Sequence, residues 1–202
     1  MRTLSLILVV LAGPQDVPWK DAPKGIVKGT LAFPGPRPKQ PIVVYLERAG
    51  APAFTLPAEP LVIGQKEARF DPPFAVVVVG RKVVFDNNED KDVDHNVFTL
   101  GAEDADFGIF ARGKKVEHVF DKAGEVRLHC SIHKFMDGKI FVAPTPAFTI
   151  VDGDATEFSI ADVPAGAWTL KTYQKAKRFH DAELKVEVAK GETASVAVEM
   201  KR

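Results

Sequence analysis

The stretch Val126-Arg-Leu-His-Cys-Ser-Ile-His-Lys-Phe-Met-Asp-Gly-Lys-Ile-Phe-Val142 decides how the chain is read. It opens in strict alternation. Val126, Leu128 and Cys130 fall on one side of an extended strand, and Arg127 and His129 on the other. The pattern predicts a strand from Glu125 to Cys130 with Cys130 facing inward and His129 outward. His133 and Met136 follow at intervals of three residues, and a second strand is predicted over Gly138 to Ala143. One thiolate, one imidazole and one thioether are thus carried on a single short loop between two strands.

Working outward, the rest of the chain also reads as all-β. No segment has a convincing 3.6-residue period, while short apolar runs alternate with Gly and Pro turns. Strands are predicted at Gly25 to Phe33 and Ile42 to Glu47, with Ala49 to Pro60 a loop. A longer β region opens at Ala68 and includes Phe74 to Val79 and Val83 to Phe85. The polar, acidic loop from Asn87 to Asp94 then delivers His95 at the head of an apolar run. Gly101 to Gly113 reads as irregular, and Lys115 to Phe120 as a strand. Pro144-Thr145-Pro146 marks a boundary, beyond which five further strands are predicted between Ala147 and Met200. Residues 14 to 25 read as a linker or a lead-in without a strand, and residues 1–13 as a secretory signal: Arg2, then the apolar run Leu4 to Leu11, too short to span a bilayer.

Composition narrows the function. The 202 residues carry 27 basic and 27 acidic side chains, so no net charge draws the chain to nucleic acid or an anionic membrane. One cysteine allows neither an internal disulfide nor a multi-thiolate zinc site. No nucleophile–base–orienter set, phosphate-binding glycine loop or paired carboxylates suggest catalysis, so the expectation is not an enzyme. In an exported chain, an unpaired cysteine reads best as a metal ligand.

A fourth ligand must come from elsewhere, and His95, at the end of its loop, is the candidate. Two imidazoles and a thiolate with a weak thioether form the donor set of a blue-copper electron-transfer site. Soft sulfur suits Cu(I) and imidazole suits Cu(II).

With these residues in view, Val83 to Val142 resembles a cupredoxin of the plastocyanin and amicyanin group. The loop Cys130-Ser-Ile-His-Lys-Phe-Met136 has the short amicyanin spacing, with His129 before it and Gly138-Lys139 after it. The resemblance implies a Greek-key β-sandwich at 62–144 with copper ligands His95, Cys130, His133 and Met136. It also implies that the Asn96 backbone N–H points at the sulfur, and that the Ser131 hydroxyl pairs with Asn96. Where the family often carries Pro, this chain has Asp94, Ile132 and Lys134. A carboxylate at Asp94, if near the metal, is expected to favour Cu(II) and lower the potential.

A second resemblance covers the flanks. Phe158-Ser-Ile-Ala-Asp-Val-Pro-Ala-Gly-Ala-Trp-Thr-Leu170 and Gly25-Ile-Val-Lys-Gly29 are similar to parts of the carboxypeptidase-regulatory, transthyretin-like β-sandwich. They imply a discontinuous domain of 25–48 and 146–202 interrupted by the cupredoxin. The pairing resembles bacterial methylamine-utilisation and plastocyanin-like proteins.

These readings imply an exported, periplasmic or secreted carrier of single electrons that holds one copper ion. His133 is the expected electron exit, with Ile132, Phe135 and Phe107 as an apolar docking rim. The implied partner is a redox protein such as a c-type cytochrome or a dehydrogenase, met transiently and without stable membrane insertion. The acids Glu89 to Asp94, Glu103, Asp104 and Asp106 read as solvated, the alternative being that they steer a basic partner such as a c-type cytochrome. His118 and His180 carry no metal role. The alternatives are a copper-storage module and a cell-envelope interaction protein.

Overall fold

A computed structural model describes residues 17–202; the signal read at residues 1–13 lies outside the described residues. Within them the protein is all-β. Its sixteen strands are β1 (Lys24–Ala32), β2 (Ile42–Glu47), β3 (Leu61–Lys66), β4 (Arg69–Asp71), β5 (Phe74–Val78), β6 (Lys82–Asn87), β7 (His95–Gly101), β8 (Ala105–Phe110), β9 (Lys115–Val119), β10 (Gly124–His129), β11 (Asp137–Ala143), β12 (Phe148–Val151), β13 (Glu157–Pro164), β14 (Gly166–Gln174), β15 (Glu183–Val188) and β16 (Thr193–Glu199). Among the described residues no helix is long and apolar enough to cross a membrane.

Four sheets form. A three-stranded sheet β13-β1-β16 faces a four-stranded sheet β12-β2-β14-β15, and a five-stranded sheet β5-β11-β10-β7-β8 faces a four-stranded sheet β4-β3-β6-β9. The first pair encloses a core that includes Val27, Leu31, Ile42, Leu46, Trp168, Leu170 and Val198. The second encloses another, including Ile63, Phe85, Phe120, Leu128, Cys130, Met136 and Ile140.

The strands whose apolar runs do not alternate are those buried on both sides. In β2, Ile42, Val44 and Leu46 enter the first core, while Val43 and Tyr45 turn the other way. In β11, Ile140 and Val142 enter the second core, while Phe141 and Ala143 turn away from it. The outward sets meet. Phe141 stacks on Tyr173 at 4.5 Å between ring centroids and lies 5.0 Å from Tyr45. The Tyr173 hydroxyl donates to Glu125 Oε2 at 2.6 Å, and Lys139 Nζ reaches both Glu125 and the Lys175 carbonyl.

This junction gives a pH-dependent test. Burial pushes the Glu125 carboxyl up, but the Tyr173 and Lys139 contacts outweigh it and hold it below the ordinary glutamate value. A depressed folded pKa contributes stability above the unfolded value, about 4.3. That contribution is lost as pH falls through the lower folded value. Tyr173→Phe is expected to reduce stability at neutral pH by about 1.5 kcal/mol, the low end for a bond to a charged group, because Lys139 remains. Urea denaturation across the acid range checks it: the variant should also lose less stability between neutral and acid pH than the parent.

Three sequence expectations are corrected. The β region begins at Leu61, not Ala68: β3 was hidden because the polar Gln65 follows Leu61 and Ile63 on its core side, Gly64 lies on the opposite face against Asn88, and the strand pairs in parallel with the distant β6. The stretch from Gly101 to Gly113 is not wholly irregular but contains β8, an edge strand whose pairing with β7 shifts register between Asn96 and Phe98. Among its described residues the lead-in has no strand before Lys24, but it is not a linker either. Trp19 is buried, donates its backbone N–H to Ala53 O at 2.8 Å and packs edge-on against Trp168.

Candidate metal centre

β7 and β10 are antiparallel neighbours, with His129 opposite Phe98. His95 begins β7, and Cys130 directly follows β10. The register therefore brings the start of one strand and the end of the other to the same edge. The short link to β11 then folds over them, closed by the Met136 N–H donating to His133 O at 2.9 Å.

His95, Cys130 and His133 converge, with one potential ligand atom from each lying within 4.8 Å of the others. Cys130 Sγ is 3.7 Å from His133 Nδ1, and the two imidazole centroids are 4.7 Å apart. His95 is fully buried, Cys130 is buried and His133 is half-buried. Met136 is buried in the same apolar cluster as Cys130.

The two ligand-bearing segments are tied through Asn96. Its backbone N–H points at Cys130 Sγ at 3.5 Å, a contact that favours a sulfur anion. Its side-chain Oδ1 accepts from the Ser131 backbone N–H at 3.2 Å, while Nδ2 donates to Asp106 Oδ1 at 2.8 Å and Gly108 O at 3.0 Å. The tie expected from the Ser131 hydroxyl is thus made by its amide. Ser131 itself is exposed.

The loop before His95 is fixed from within. Asn87, fully buried, donates to the carbonyls of Val93 and Phe110. Lys66 pairs with Asp90 at 2.8 Å and Arg112 with Asp92 at 3.0 Å. The carboxylate that reaches His95 is Glu89, with Oε1 3.0 Å from Nε2 and only 9% of its side chain exposed. Asp94, the residue expected from sequence, is exposed. Burial pushes the Glu89 carboxyl up, but hydrogen bonds from His95 and from the backbone of Glu67 and Ala68 outweigh it and hold it below the usual value.

With Nε2 engaged, the other ring nitrogen of His95 decides what the cluster can do. Nδ1 is buried and has no hydrogen-bond partner. A buried nitrogen lone pair without a donor is costly in a finished core. Facing a thiol and a second imidazole, it fits a metal ligand. The soft thiolate with two imidazoles matches copper or zinc rather than a hard cation.

Other sequence-assigned residues lie elsewhere. Phe107 does not rim this site. It packs against Phe85 and His118, because β8 turns it toward the core. Of the acids expected to be solvated, Glu103 binds His118 at 2.6 Å and Asp106 holds Asn96. His129 stacks on Phe98. Around His133 the exposed apolar residues are Ile132 and Phe135, the latter 97% exposed. Glu89 and Asp106 were missed because nothing in a run of acids marks which ones bond to a residue of the site.

No family model matches the chain, and no curated protein matches it significantly. Among solved structures it is similar to a purple cupredoxin from Nitrosopumilus maritimus, at 21% identity over 41% of this chain and 99% of that one, with a TM-score of 0.37. An oxidised amicyanin mutant shares 25% identity over 42% of this chain and 83% of its own, at 0.38. A reduced Cu(I) amicyanin mutant shares 24% over 43% and 85%, also at 0.38.

Proposed function

We propose that this chain is an exported type 1 copper protein of the cupredoxin kind, which carries single electrons between redox partners. The observation that carries the reading is the buried convergence of His95, Cys130 and His133 around an unpartnered His95 Nδ1. A copper ion held there would supply a one-electron Cu(II)/Cu(I) couple.

Each residue then has a task. Cys130 gives the thiolate, whose charge the Asn96 amide steadies. His95 gives Nδ1, and His133 the second imidazole. Met136 is the weak fourth ligand. Because both sides of the site are tied by Asn96 and the loop is closed by its own backbone bond, the ligands hold their arrangement as charge changes. Low rearrangement is what single-electron transfer needs. His133 is nearest the surface and serves as the exit, and exposed Ile132 and Phe135 offer an apolar contact for brief docking by a c-type cytochrome or a dehydrogenase.

In this reading 62–144 is the cupredoxin unit, and 25–48 with 146–202 form a transthyretin-like sandwich around it. Support comes from the two cores, each lined by strands of one of these groups alone. The compartment is periplasmic or extracellular, where one unpaired cysteine is safest as a metal ligand.

The test is to add Cu(II) to the purified metal-free protein and record its visible spectrum. One equivalent should produce an intense thiolate-to-copper band and a reversible one-electron wave. A colourless product overturns the copper reading. A coloured protein with no reversible wave leaves a copper-storage module instead.

A further inference from the structure

Glu89 has no counterpart among the ligands, yet its surroundings are built for a carboxylate. β3 and β4 are joined by a two-residue turn, with Lys66 opposite Arg69. The turn residues Glu67 and Ala68 have φ of 53° and 54°. Two successive positive φ values suit Asn-Gly, and neither residue here is glycine. Strained backbone of this kind persists where the surroundings enforce it. What this turn accomplishes is visible: the Glu67 N–H donates to Glu89 Oε1 at 2.7 Å, the same oxygen that meets His95 Nε2 at 3.0 Å. From its own loop, Glu89 N–H leans on Asn87 Oδ1 at 3.4 Å. The carboxylate is thus enclosed and aimed at one imidazole nitrogen.

We infer that Glu89, braced by the Glu67–Ala68 turn, is the positioning residue of the metal centre: it fixes the His95 ring with Nε2 as donor and Nδ1 toward the metal, and its negative charge sets the reduction potential low. The inference rests on the copper reading. The physical grounds are two. A histidine ligand is oriented by the partner of its other nitrogen, and a carboxylate in that role makes the ring a stronger donor. A buried negative charge is weakly screened and stabilises the more highly charged oxidation state. Both favour Cu(II) over Cu(I).

Glu89→Gln tests it, since the amide keeps the size and an acceptor oxygen for the turn while removing the charge. With Cu(II) added, the variant should stay coloured. Its preference for Cu(II) over Cu(I) should fall about tenfold, a rise in potential of about 59 mV for a one-electron couple. Cu(II) affinity should fall on the order of 10-fold or more. In the metal-free parent at mildly alkaline pH, nitrogen NMR should show the His95 proton on Nε2. A coloured variant with the parent's potential overturns the inference and leaves the copper reading standing, as does a metal-free parent whose proton sits on Nδ1. A colourless parent overturns the copper reading itself.

Discussion

Cys130→Ser is expected to abolish the intense visible band of the Cu(II)-loaded protein. The band belongs to electron transfer from a sulfur orbital into copper, and a serine oxygen holds its electrons too tightly to give a transition in the visible. Serine also remains a protonated alcohol near neutral pH, so the centre loses its only anionic ligand from this loop. The substitution is otherwise mild. It is nearly isosteric, and the Asn96 N–H that now points at sulfur can donate to oxygen in its place. Cys130 is 4% exposed, so no outside thiol is being removed. Loss of colour with an unchanged melting profile of the metal-free protein assigns the band to Cys130. Colour that survives the substitution means the metal sits elsewhere.

Asn96→Ala is expected to have the second large effect, this time before any metal is added. Asn96 is 2% exposed, and its side chain makes three hydrogen bonds that join β7, β8 and the ligand loop. Truncation leaves Gly108 O and the Ser131 amide without their partner and opens a small void. The expected cost is about 2–3 kcal/mol, because three part-buried hydrogen bonds are lost together, one of them to the Asp106 carboxylate. Ser131→Ala is the matched control. Its amide, not its exposed hydroxyl, makes the tie, so the change should stay within about 0.5 kcal/mol. Urea denaturation of the metal-free chains compares them. Equal stability for Asn96→Ala and the parent removes Asn96 as the tie.

How much of this could be read from sequence depended on how local each feature is. The strand before Cys130 and the spacing of His133 and Met136 were legible because β10, its loop and β11 form one hairpin, with partners a few residues apart. His95 was reachable because a histidine closing a polar loop ahead of an apolar run marks a strand start. β3 was not, since Gln65 interrupts its apolar face and its partner is the distant β6. The burial of Trp19 was not legible for a similar reason: its neighbours are Phe54 and Trp168, far along the chain. Glu89 was the hardest. Six acids and amides crowd residues 87 to 94, and only the position of the 67–68 turn, set by tertiary packing, selects the one that faces inward.

The pairing of β1 with β16 carries a consequence for the order of events during synthesis. Ile26 to Ala32 run parallel to Thr193 to Glu199, so β1 must wait for nearly the whole intervening chain. Every strand from β3 to β11 finds its partners within that same span. The segment bearing His95, Cys130 and His133 can therefore condense first, at a lower loop-closure cost, and the outer sandwich is sealed only when β16 arrives. Until β14 emerges the strip of Phe141, Phe74 and Val76 is only partly covered, because Tyr173, which stacks on Phe141 and Phe74, comes later than they do. That interval is when the nascent protein is most exposed to aggregation.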